Sequence, residues 1–116
     1  MKKFEATLGD PKALAASVSA RKDVVLYGSE FAERYVGAAA KAQLAKWNLA
    51  FKVQGGIQAG VGAAKTIAWV AANVDASSIK NPKAATTPYQ LFAIYEQTGA
   101  DWQLVAAHFA FVKPAK

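Results

Sequence analysis

At 116 residues, 53% of them hydrophobic and among them three Trp, four Tyr and six Phe, the chain is sized for one domain with its own core and is too apolar to be disordered. It has no cysteine, which excludes disulfides, thiolate chemistry and cysteine-ligated metals. The net charge is +6, but it is spread along the chain, almost all on lysines, with Arg21 and Arg34 the only arginines. That pattern reads as a solubilising surface and argues against nucleic acid as a partner.

In chain order, Gly9-Asp10-Pro11 is helix punctuation. Gly9 closes a preceding helical turn, Asp10 caps the next helix and Pro11 suits its first position. Leu14 and Val18 fall on one face, which predicts a helix over Pro11–Ser19. Asp23–Tyr27 is a short strand and Glu30–Gly37 a loop. A second helix follows over Ala38–Asn48, with Ala40, Leu44 and Trp47 at helical spacing. From Phe51 the apolar period becomes two. Phe51–Ala59 is a strand in which Gly55-Gly56 predicts a bulge or sharp bend. Lys65–Val74 is apolar on both faces and reads as a central strand. Asp75–Thr87 is a polar loop, and Tyr89–Gln97 with Trp102–Lys113 makes a closing hairpin.

No uncharged apolar run reaches the length of about 18 residues that a spanning helix needs. Glu5 and Asp10 interrupt any apolar segment after Lys2-Lys3, so neither a membrane partner nor a signal peptide is expected. The absence of cysteine favours the cytoplasm and leaves a processed, periplasmic form open.

Helix, short strand, helix and four long antiparallel strands make an α+β chain. The expected architecture is a strongly curved antiparallel sheet, a cone-shaped half-barrel with short helices packed on its concave face. The mouth of such a cone is a natural place for an apolar ligand.

The order and spacing of several segments resemble the nuclear transport factor two-like superfamily, in its SnoaL-like branch. They are Leu8–Pro11, Asp23–Ser29 (DVVLYGS), Ala32–Gly37 (AERYVG), Ile67–Val70, Tyr89–Glu96 and Trp102–Val105 leading to His108-Phe109. The resemblance covers nearly the whole chain from Thr7 as one domain, residues 1–116. It implies a hydrophobic cavity and a homodimer through the outer face of the sheet. It departs from the family at the start. Members begin with a long helix covering the cone, whereas Met1–Leu8 supply about two turns, so that the cover helix is expected to be either trimmed or short, the latter leaving a more open cone. The family holds ketosteroid isomerases, cyclases, dehydratases and non-catalytic binding or assembly domains, so it fixes fold and not function.

Two residues are candidates for catalysis. His108, the only histidine, shares a strand face with Trp102, Leu104, Ala106 and Ala110 by simple alternation. It is a candidate general base, or a strand histidine near the dimer face or sheet rim. Glu33, just before the second helix, is the best-placed carboxylate for proton abstraction, or a salt-bridge partner of Arg34 or a lysine. Neither the isomerase base nor its oxyanion donors map onto residues of this chain, which counts against ketosteroid isomerase activity. Tyr27, Trp47 and Trp69 are the expected pocket lining, with Asn73 a polar anchor for a ligand. One His, no Cys and scattered carboxylates point to no metal, and no phosphate loop points to a cofactor. The expected function is binding of a small hydrophobic molecule in an apolar cavity. The alternatives are an isomerase, cyclase or dehydratase working by acid–base chemistry, and a non-catalytic dimeric assembly module.

Overall fold

The Gly9-Asp10-Pro11 punctuation separates two short helices, α1 (Lys2–Leu8) and α2 (Pro11–Ala16). The Asp10 carboxylate accepts from the backbone N–H groups of Lys12 (3.0 Å) and Ala13 (3.4 Å), and the Gly9 N–H donates to the Glu5 carbonyl. The structure is a computed structural model that describes residues 2–28, 33–47, 49–78, 86–99 and 101–111, with backbone only for Lys2, Lys3, Thr98 and Phe111.

The helix predicted to run to Ser19 ends at Ala16. The Ser17 hydroxyl donates to the Leu14 carbonyl at 2.6 Å, and the chain then joins the sheet. The Leu104 N–H donates to the Ser17 carbonyl (2.8 Å) and the Ser19 N–H to the Leu104 carbonyl (2.9 Å). Long-range pairing outcompetes one more helical turn, because backbone groups at a helix end have no intrahelical partner.

The described strands are β1 (Val25–Tyr27), β2 (Arg34–Val36), β3 (Leu49–Val61), β4 (Ile67–Ser78), β5 (Thr87–Thr98) and β6 (Asp101–Phe111). They form one open, curved sheet in the order β2-β1-β6-β5-β4-β3. Every pairing is antiparallel except β1 with β6, which is parallel. Helix α3 (Ala38–Trp47) follows β2 and packs against α2. The helices cover the concave face, where Leu8, Leu14 and Leu44 meet Leu26, Val74 and Leu91 in one core.

Two predicted loops are corrected. Within Glu30–Gly37, Arg34–Val36 forms β2, whose three residues are too few to show a period and are recruited by the open edge of β1; residues 29–32 lie outside the described part. Of the loop expected over Asp75–Thr87, Asp75–Ser78 belongs to β4 and Thr87 to β5, and residues 79–85 lie outside the described part. Phe51 pairs with Ala76 and Leu49 with Ser78, so Ala76 stays buried although Asp75, Ser77 and Ser78 look loop-like in sequence.

The bulge expected at Gly55-Gly56 is present: Gln54 faces Asn73 while Ile57 faces Ala72. Two inserted residues keep the alternation in phase, so Phe51, Val53 and Ile57 stay on the concave side. The second bulge has no glycine to announce it. Ile94 pairs with Ala106 but Tyr95 with Leu104, leaving Val105 extra. A single inserted residue inverts the faces. Trp102 and Leu104 therefore belong to the concave side, and Ala106, His108 and Ala110 to the convex side. The face predicted for His108 is corrected accordingly.

At the open end, Phe4 of α1 meets Tyr95 edge-on at 6.1 Å. Burial pushes the Tyr95 phenol up from 10.0 to about 12. On the surface, Arg21 grips both Asp23 oxygens at 2.8 Å and Glu96 at 2.7 Å, tying the segment before β1 to β5 and holding the Asp23 carboxyl below its ordinary value.

Candidate functional site

The concave face closes around an aromatic cluster centred on Phe109, which is 3% exposed. The Phe51 ring stacks on it at 4.8 Å, with 29° between planes. Trp47 and Tyr89 meet it edge-on at 5.9 and 6.4 Å, and Tyr35 backs Trp47 at 6.3 Å. Each ring arrives for a local reason. Trp47 is one helical period beyond Ala40 and Leu44, the buried stripe of α3. Phe51, Tyr89 and Phe109 occupy inward positions of strands whose alternation the registers fix.

These four rings and Leu49 bound a pocket of about 180 Å³, completed by Gly28 and Glu33 where β1 ends and β2 begins. That is below the usual 300–1,000 Å³ of drug-sized sites. It exceeds the roughly 150 Å³ in which an engineered apolar cavity holds benzene. The pocket suits a guest of one small ring or its equivalent.

Glu33 reaches the pocket because Gly28 lets it. The Gly28 N–H donates to the Glu33 carbonyl at 2.8 Å. A Cβ on Gly28 would fall 2.7 Å from the Cβ, Cδ and Oε1 of Glu33. Gly28→Ala is expected to displace the Glu33 side chain and to cost about 1–3 kcal/mol of stability, the usual range for overpacking. Urea unfolding checks the cost, and loss of pocket binding in the folded variant checks the displacement.

Of the six residues singled out from sequence, Glu33 and Trp47 come together at this pocket. Tyr27, Trp69, Asn73 and His108 stand on the convex side. There the Tyr27 ring lies edge-on to His108 at 5.9 Å, and its hydroxyl accepts from Arg34 Nε at 3.2 Å. His108 and Asn73 border a shallow outer groove with Gln58, Gln90 and Phe92. Trp69 lies over Gly60 on the neighbouring strand, where a Cβ would come within 2.3 Å of the indole. Sequence reasoning did not select Leu49, Phe51, Tyr89 or Phe109 for the pocket. The signal for Phe51 was its position in the inward set Phe51, Val53 and Ile57; for Phe109 it was adjacency to His108 on the opposite face. Gly28 left no signal at all. Among the described residues no three His, Cys, Asp or Glu side chains gather as a metal centre would require.

No protein-family model matches the chain, and no curated protein matches it in sequence. Solved structures do match it in shape. A candidate calcium/calmodulin-dependent protein kinase II association domain from Xanthomonas campestris superposes with a TM-score of 0.74 at 15% identity, covering 98% of this chain and 84% of that one. A candidate ketosteroid isomerase from Parabacteroides distasonis gives 0.67 at 18% identity, over 97% and 83% of the two chains. An NTF2-like protein of unknown function from Pseudomonas putida gives 0.66 at 13% identity, over 94% and 79%. At these identities the likeness is one of fold, and it agrees with the open, curved sheet described above.

Proposed function

We propose, taking the NTF2-like (nuclear transport factor two-like) fold as premise, that this chain binds a small hydrophobic molecule in the pocket around Phe109, in the manner of a SnoaL-like domain. The supporting observation is a half-open pocket of about 180 Å³ lined by four aromatic side chains and a leucine, with a single carboxylate at the wall. Native mass spectrometry of protein purified without apolar additives tests it. An adduct, or uptake from a panel of small hydrophobic ketones and acids, is the expected result. A chain that stays empty throughout overturns the reading in favour of an assembly module.

The enzymatic alternative rests on Glu33. A carboxylate at the wall of an aromatic pocket is the arrangement that proton abstraction from a hydrophobic substrate requires. Isomerase, cyclase or dehydratase turnover on that panel, abolished by Glu33→Gln, would establish it.

The convex face is proposed to pair with a second copy of the chain. Between the cross-strand Lys52 and Asp75 at one end and Glu96 at the other, the described residues of β3–β6 place no Asp, Glu, Lys or Arg on this face. Trp69 (40% exposed) and Phe92 (46%) stand in its middle. An uncharged centre carrying large aromatics is the composition of a protein interface. Phe92→Lys is expected to convert a dimer to a monomer in sedimentation velocity while leaving the far-UV spectrum unchanged. An unchanged sedimentation coefficient would exclude this face as the interface.

A further inference from the structure

We infer that pairing of two copies through the convex face is switched by pH, with His108 as the sensor: the faces associate while the imidazole is neutral and separate when it takes up a proton. This adds a regulation to the convex-face pairing above and rests on it.

The strand registers place His108 within the face rather than at its rim. Tyr27 pairs with Arg34 on one side and with His108 on the other, and His108 pairs in turn with Phe92. Arg34, Tyr27, His108 and Phe92 therefore form one row across four strands. Phe92 stands in the uncharged centre of the face, and His108 is its direct cross-strand neighbour. The imidazole is exposed in the single chain, where water can carry its charge. A second copy that covers Phe92 covers it as well.

The groups around the imidazole set the sign of the effect. On β1 the Tyr27 ring stands edge-on to it at 5.9 Å. On β2 Arg34 donates from Nε to the Tyr27 hydroxyl at 3.2 Å, so the charged group in the row is a cation. On β5 Phe92 and the residues beside it on the same face, Gln90 and Ile94, are uncharged. On β6 itself Ala106 and Ala110 flank it. Glu96 lies two residues beyond Ile94 and is held by Arg21 at 2.7 Å. Among the described residues of β1, β2, β5 and β6 no carboxylate shares the row or adjoins it. A two-fold pair brings the same face from the second copy.

Covering an imidazolium with such a surface strips its water and supplies no counter-charge, and two copies bring two of them together. The paired state therefore binds fewer protons than the separate chains, and acid favours separation. His108 is the only histidine and there is no cysteine. Histidine is the side chain whose ordinary charge change falls between pH 5 and 8, whereas carboxylates ordinarily titrate near pH 4 and lysines above pH 10.

Sedimentation velocity of the intact chain, over a concentration series at pH 7.5 and pH 5.5, tests the switch, with the far-UV spectrum recorded at both values. Histidines ordinarily charge near pH 6.5, so one proton on each copy is expected to weaken pairing about tenfold, and the dissociation constant to rise about 100-fold at pH 5.5. His108→Gln and His108→Phe, both uncharged, are expected to pair equally well at the two values. Pairing of the unaltered chain that is unchanged at pH 5.5 overturns the switch and leaves the interface standing. A chain that is monomeric at both values overturns both. Separation that comes only with loss of the far-UV spectrum overturns the switch. Neutral variants that still separate in acid, or that both fail to pair at pH 7.5, overturn the assignment to a charge on His108.

Discussion

Phe109→Ala is expected to lower the free energy of unfolding by about 3–5 kcal/mol, the largest effect of any single substitution considered for this chain. Phe109 is buried, sits on β6 between β1 and β5, and is the ring on which Trp47, Phe51 and Tyr89 converge. Truncation removes the transfer free energy of the ring and opens a cavity beside one that already exists. The three ring contacts, each worth about 0.5–1.5 kcal/mol beyond area burial, are lost together. For a chain of this length, about 4 °C per kcal/mol predicts a fall in Tm of roughly 12–20 °C. Urea unfolding should show a lower midpoint with an unchanged m-value. Phe109→Leu separates the two causes, since it keeps most of the volume but no ring, and should cost about half as much or less. A loss under about 1.5 kcal/mol for the alanine variant would mean that the neighbouring rings collapse into the gap and that the pocket is not held open by Phe109.

The second large effect is alkaline. The Tyr95 phenol is pushed from 10.0 to about 12 in the folded chain by burial against Phe4 and the open end of the sheet. Its folded state therefore holds the proton more tightly than its unfolded state. The unfolded chain binds fewer protons across this window, so unfolding becomes easier as pH rises. The stability associated with neutral Tyr95 is fully present below about pH 10 and is lost as pH climbs to about 12. A shift of about two units corresponds to about 2.7 kcal/mol over that window. Absorbance at the phenolate band should show one of the four tyrosines titrating last. Unfolding free energies measured at intervals across the same pH range should fall more steeply for the wild type than for Tyr95→Phe. The difference between the two profiles isolates Tyr95 from lysines losing their charge in the same range. Parallel profiles would show that Tyr95 reaches solvent.

The positions expected for β3 to β6 and for the helices around them were legible because each rests on a local rule. Asp10 and Pro11 can cap and start α2 whatever the rest of the chain does. Period-two runs such as Phe51, Val53 and Ile57 describe a strand wherever the partner lies. Gly55-Gly56 marks its bulge because glycine pairs are poor strand formers. The uncharged centre of the convex face was also present in the sequence, once the strand faces were known.

The site was legible only in part. Trp47 could be placed because it extends a helical stripe, and Glu33 because it is the carboxylate next to that helix. His108 could not, because its face depends on the Val105 bulge, one unannounced residue that inverts everything after it. Tyr27 ends β1 and Trp69 lies near the start of β4, and being aromatic within a strand does not reveal which side of the sheet a residue faces.

The sequence by itself determined the type and rough place of α2, α3 and the four long strands, where the chain turns at Gly9-Asp10-Pro11, and that the charge is dispersed. Those properties depend on neighbours a few residues away. Only the tertiary structure decided that β2 exists, that β1 runs parallel to β6, and that Glu33 rather than His108 faces the aromatic pocket. Each of these is set by pairing between strands rather than by a local rule, from the nearby β1 and β2 to β1 and β6 at opposite ends of the chain, and a one-residue change in register moves a side chain through the sheet from one face to the other.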